Sequence, residues 1–190
     1  MSDALSPGFA DPVANAQACF RAVLDAMAHP GQVHAVGTMS APAALCSAAA
    51  AVLLTLADHE TPLWLDPDAE PAQHWIAFHT GASIVCIGQA MFAVALSLPD
   101  LAELPNGTDE MPETSATIIL QVASLTNGHR FRLEGPGLRE PAVLTVDGLP
   151  TDFAAIWQRN HALFPRGIDL ILCAGNQLTA LPRSVSIEDA

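Results

Sequence analysis

The chain has 190 residues, the size of one ordinary domain, and 51% of them are hydrophobic, far too many for a disordered segment. Seven arginines, no lysine and twenty carboxylates leave a formal net charge of −13. That balance excludes nucleic acid and anionic membranes, which require clustered cations, and the missing lysine excludes P-loop, PLP-dependent and Schiff-base chemistry.

In chain order, Asp11-Pro12 predicts a helix start, an Asp N-cap followed by proline at the first helical position. Val13, Ala16, Phe20, Val23, Leu24 and Met27 then recur at helical spacing, which predicts that this face is buried, and Pro30-Gly31 ends the helix. Gln32 to Val36 alternates like a short strand. The apolar, alanine-rich run from Pro42 to Ala57 predicts a second helix, too short and too weakly apolar to span a bilayer. Pro62–Leu65 predicts a short strand, and Pro71–Phe78 a short helix closed near Gly81. Ser83–Gly88 and Met91–Leu96 are apolar enough for buried strands.

Ser115–Ser124 and His129–Glu134 predict two strands joined as a hairpin around Asn127-Gly128. Ala142–Val146 predicts another strand, Pro150–Leu163 a helix and Ile168–Ala174 a central strand. The polar stretch Leu104–Ser115 reads as an exposed functional loop. Together these elements predict a single α/β domain over residues 1–190, with a mixed sheet between helical layers.

Cys19, Cys46, Cys86 and Cys173 lie far apart in apolar surroundings and form no CxxC pair, so they read as small core residues in a reducing cytoplasm. They cannot ligate an iron–sulfur cluster. The first residues carry neither a basic nor an apolar signal-peptide region, which also points to the cytoplasm. Only 14% of the chain is charged, against about 25% usually, which fits equally a partner over part of the surface or simply an alanine-rich composition.

The densest ionisable cluster is Asp58-His59-Glu60-Thr61, suited to acid–base work or to a solvated, self-capping loop. His79, at a helix end, is the other candidate acid–base group. His74 and His79 are five residues apart and do not share a helix face as a metal pair would. Asp109, Glu110 and Glu113 form an acidic cluster, and Gly135-Pro136-Gly137 a sharp turn lacking the phosphate-binding glycine pattern. Arg21, Arg159 and Arg183 are the arginines best placed to receive an oxyanion or a partner, with internal salt bridges as the competing use.

Seven stretches, in order, resemble one family. They are Phe20-Arg21 to Pro30-Gly31, Asp58 to Leu65, and Phe78-His79-Thr80-Gly81-Ala82. Gly107-Thr108 to Pro112 with Ser115-Ala116-Thr117, Leu133 to Gly137, Asn160 to Asp169, and Leu181-Pro182-Arg183 complete the series. Across residues 15–184 the chain resembles PhnH, a subunit of the bacterial carbon–phosphorus lyase system. The resemblance implies a fold similar to PLP-dependent transferases without the cofactor lysine. It implies a homodimer, or a core complex with the sister subunits PhnG, PhnI and PhnJ. It further implies that, with PhnG, PhnI and PhnL, the subunit helps join an alkylphosphonate to the ribose of ATP with loss of adenine, giving a ribose 1-phosphonate 5-triphosphate. No cofactor is expected on this chain, and no independent active site. The candidate functional surface is Arg21, Asp58, Glu60, Thr61, His79, Arg159 and Arg183. The competing expectation is a free-standing enzyme using His79 with Asp58 or Glu60.

Overall fold

The computed structural model describes residues 6–190. Helix α1 spans Pro12–Ala28, and the Asp11 carboxylate accepts from Ala14 N–H at 3.0 Å as its N-cap. The buried face is only partly the expected one: Val23 is buried and Met27 packs against the core, but the seam is shifted. Cys19, Ala22, Val23 and Ala26 point inward, while Val13, Phe20 and Leu24 are 70%, 46% and 51% exposed. The reason lies in helix α2 (Ser47–Leu56), where Ala48–Ala51, Val52 and Leu53 are all buried. Two helices approach closely only through small residues, so α1 turns its cysteine–alanine seam to α2 and its bulky residues to the outside. Helix α2 starts later than predicted because Pro42–Leu45 forms a turn with Ala44 at φ 73°.

Strand β1 is His34–Ala35 and β2 Leu63–Leu65. A 3₁₀ turn (Pro67–Ala72) leads into helix α3 (Gln73–Thr80), which stops at Gly81, whose φ of 71° is the left-handed cap that glycine adopts without strain. Strands β3 (Phe92–Ala95), β4 (Thr117–Gln121), β5 (Ser124–Glu134) and β6 (Ala142–Asp147) follow. Helix α4 (Phe153–His161), β7 (Asp169–Ala174), β8 (Gln177–Leu181) and β9 (Ser186–Asp189) complete the chain.

The main sheet runs β1-β8-β7-β4-β3-β2. The run β2-β3-β4-β7 is parallel, and β8 and β1 add antiparallel. The expected mixed α/β sheet is therefore present. Strands β4 and β7 are buried on both faces, which for β7 is why Ile168–Ala174 reads as an unbroken apolar run. Ile119 and Ile171 face the layer of α1, α2 and α3, with Trp75 and Leu53 in that core. Ile118, Leu120, Leu170 and Leu172 face a second core containing Phe131, Leu133, Phe153 and Trp157. Each fully buried Leu or Ile here contributes roughly 1.5–3 kcal/mol relative to exposure. The second layer is not purely helical: α4 shares it with a three-stranded antiparallel sheet, β6-β5-β9. Trp157 Nε1 donates to Val185 O at 2.7 Å and fastens α4 to the turn before β9.

Three local expectations fail. Strands β4 and β5 form no hairpin; they belong to different sheets. The alternation in β5 explains this, since Leu125, Phe131 and Leu133 are buried while Arg130, Arg132 and Glu134 are exposed. A strand with one wet face suits the small antiparallel sheet, whereas β4 needs cover on both faces. Asn127-Gly128 lies inside β5, where the β5–β6 register slips between Ser124 and His129 and Gly128 has φ 115°. Ser83–Gly88 is not a buried strand: it makes a single bridge, Ile84 to Leu63, before a 3₁₀ turn at Ile87–Gln89, and Ile84 is 37% exposed. Cys86 is exposed, unlike the buried Cys19 and Cys173.

Candidate functional site

In open α/β sheets ligands usually sit beyond the carboxyl ends of the parallel strands. Here the segment before α2 packs over that end at β4 and β7. At the end of β4 the Gln121 side chain accepts from Cys46 N–H at 2.6 Å and donates to Ala44 O at 3.2 Å, and Gly175 O accepts from Ala48 N–H at 2.9 Å.

Of the residues picked out by sequence, Arg183 lies at the opposite end. Asp169 opens β7, and Arg183 follows β8. Arg183 Nε lies 3.1 Å from both carboxylate oxygens of Asp169, and Arg183 Nη1 donates to Pro112 O at 2.8 Å. This pair is mostly buried, with side-chain exposures of 14% and 19%. Asn160 is buried at the end of α4; its Oδ1 accepts from Ile168 N–H and its Nδ2 donates to Ile168 O, both at 2.8 Å. Gly167 N–H donates to Asn106 O at 3.0 Å, and Arg166 pairs with Asp109 at 3.0 Å. The Leu104–Ser115 loop is therefore tethered at three points rather than free. The sequence reading of Arg183 as a partner surface misses Asp169, which the antiparallel pairing of β7 and β8 brings beside it, and the buried Asn160; no local spacing signals either.

Arg159 differs from Arg183. It is exposed on α4, carries no ion pair among the described residues, and lines a cleft of about 320 Å³ with Asp100, Leu101, Asn106, Ile156, Asn160 and Leu163. Arg21 is likewise exposed and without an ion pair among the described residues, between Phe20 and Leu24 on the outer face of α1.

Asp58, Glu60 and Thr61 form a self-contained loop before β2. The Asp58 carboxylate accepts from Glu60 N–H at 2.9 Å, while Thr61 Oγ1 accepts from Asp58 N–H at 2.7 Å. His59 and Glu60 approach at 4.0 Å with side chains 79% and 81% exposed, a contact worth little in water. His79 is half-buried elsewhere: its Nε2 lies 3.1 Å from Ser6 O, which also accepts from Trp75 Nε1 at 3.0 Å. Its ring packs on Trp75 with centroids 4.6 Å apart. A carbonyl partner requires a proton on that nitrogen, so His79 acts here as a donor. No hydrogen bond or ion pair joins His79 to Asp58 or Glu60.

Burial pushes the Cys19, Cys46 and Cys173 thiols above their ordinary range, Cys173 most strongly. They are protonated near neutrality and poor nucleophiles. Among the described residues no group of three or more His, Cys, Asp or Glu side chains could hold a metal, and no helix is long and apolar enough to cross a membrane.

Fold and site together define a lysine-free, acidic α/β protein in which the Asn160–Asp169 and Leu181–Arg183 motifs knit one end of a mixed sheet. The profile of the bacterial phosphonate metabolism protein (PhnH) family matches residues 7–188, and the chain belongs to that family. It is 40% identical, over 98% of its length and 97% of the relative's, to the Rhizobium meliloti (strain 1021) protein named alpha-D-ribose 1-methylphosphonate 5-triphosphate synthase subunit PhnH. It is 31% identical, over 90% of its length and 85% of the relative's, to the putative C-P lyase subunit protein HtxG of Stutzerimonas stutzeri.

Proposed function

We propose that this protein is the PhnH-type subunit of an assembly that joins an alkylphosphonate to the ribose of ATP. In that reaction a phosphonate oxygen bonds to ribose C1 as adenine leaves, giving a ribose 1-phosphonate 5-triphosphate. The observation that carries the reading is the near full-length match, at 40% identity, to a synthase subunit of that name. The subunit works in the cytoplasm as a homodimer or within a core of the sister subunits PhnG, PhnI and PhnJ, and with PhnL for the transfer itself. The outward stripe of Val13, Phe20 and Leu24 around Arg21 supports a subunit contact on α1. The engagement of Arg183 and Asp58 in framework bonds supports a role without an independent active site. A kinship with PLP-dependent transferases fits the covered mixed sheet, but a chain with no lysine does not fit PLP itself, which needs that amine as its anchor. We read the chain as carrying no cofactor and no iron–sulfur cluster of its own.

Co-expression with the sister subunits tests this. The chain is expected to co-purify with them, and adenine release from ATP plus methylphosphonate is expected to require it. Full activity without this chain, or its quantitative recovery alone beside soluble partners, would overturn the reading.

A further inference from the structure

The cleft between α4 and the segment around Asp100 holds two opposite charges that do not meet. Asp100 and Arg159 both line it, yet no ion pair within 4.0 Å joins them. The Asp100 carboxylate accepts from Ala102 N–H at 3.0 Å through Oδ1, which fixes the group and leaves Oδ2 unengaged. The lining also includes the apolar side chains of Leu101, Ile156 and Leu163. The cleft is built in advance. Asn106 is held by its bond to Leu104 O at 2.9 Å, and Asn160 by its two bonds to Ile168. A volume of about 320 Å³ sits at the lower end of small-molecule sites, roughly 300–1,000 Å³.

We propose that this cleft binds a short-chain zwitterion, with its oxyanion on the Arg159 guanidinium and its ammonium on Asp100. The arginine fork matches a carboxylate or phosphonate in bidentate fashion. A ligand with only an oxyanion would leave Asp100 facing it and would enter against a net charge of −13. An ammonium on the same short chain removes both obstacles, while the connecting methylenes lie against Ile156 and Leu163. The site does not depend on the proposed transfer reaction.

The test is calorimetric titration of the full chain with 2-aminoethylphosphonate and with β-alanine, which share the ammonium and differ in the oxyanion. Ethylphosphonate and propionate are the partners lacking the amine. At least one zwitterion is expected to bind, with its amine-free partner about tenfold weaker or more, the loss of one charge-assisted contact. Arg159→Gln and Asp100→Asn are each expected to weaken binding by a similar factor; asparagine keeps the Ala102 cap, so the fold is preserved. Ile156→Trp, which fills the cleft, is expected to abolish it. No heat from either zwitterion, equal binding of the amine-free compounds, or binding unchanged in Arg159→Gln and Ile156→Trp would overturn the proposal.

Discussion

Asp169 and Arg183 grip each other through both main chain and side chain: Asp169 Oδ1 accepts from the Arg183 backbone N–H at 2.7 Å, and the same carboxylate takes the guanidinium. Arg183 then reaches Pro112 O at 2.8 Å, so one arginine ties the end of β8, the start of β7 and the loop before β4. Arg183→Ala removes all four side-chain hydrogen bonds and strands a mostly buried carboxylate. The expected cost is about 2–4 kcal/mol. Arg183→Lys is expected to recover less than half of it, because a single ammonium cannot reproduce the fork. Urea unfolding of the three proteins measures this, and an Arg183→Ala variant as stable as the parent would remove the framework role.

Asn160 makes a matched pair of bonds to one residue, Ile168, from a buried position. Asn160→Asp keeps the shape but loses the donor and places a carboxylate against Ile168 O. A loss of about 2–3 kcal/mol is expected, larger at pH 8 than at pH 5, because only the ionised form is penalised. Thermal midpoints at the two pH values check both size and sign.

Gly128 sits in β5 at φ 115°, and a Cβ there would meet Val146 O and lie 2.6 Å from Asp147 N. Gly128→Ala is expected to destabilise by about 2 kcal/mol or more, combining backbone strain with the clash. Asn127→Ala, one residue earlier, is expected to stay within about 0.5 kcal/mol. Equal effects at the two positions would count against the bulge.

The thiols divide by burial. Cys86 is exposed, while Cys19 and Cys173 are buried, and burial holds the thiols of Cys19, Cys46 and Cys173 above their ordinary range. A disulfide-exchange reagent at neutral pH is expected to titrate one fast thiol in the native protein and all four in denaturant. Because these folded-state values are raised, the unfolded chain loses its thiol protons first as pH rises. Stability from these groups is therefore intact at neutral pH and falls above about pH 8.5. Replacing Cys173 with Ala is expected to flatten that alkaline fall, seen as unfolding free energy plotted against pH.

Much of the fold was legible because the chemistry was local. The Asp11-Pro12 cap and the double-faced apolar run of β7 each need only a few neighbouring residues to be read. The hairpin was misread because Asn127-Gly128 carries the same backbone signal in a bulge as in a turn, and only the wet and dry faces of β5 separate the two. On α1 bulk suggests burial for Val13, Phe20 and Leu24 as well as for Val23, but the close packing on the alanines of α2 brings Cys19, Ala22 and Ala26 inward instead of the three bulkier residues. At the candidate site, Arg159 and Arg183 look alike in sequence. What separates them is Asp169, which the sheet brings to one arginine and not the other.

The edge pairing of the main sheet bears on how the chain is made. His34 in β1 finds its partner, Leu178, only in β8, and β8 itself rests on β7. During synthesis the first strand must therefore wait, with its helices α1 and α2, until nearly the whole chain has emerged. Pairings this distant slow folding and leave β1 without its partner for most of translation. A ribosome stalled before Leu178 holds a chain whose earliest strand still has nothing to pair with.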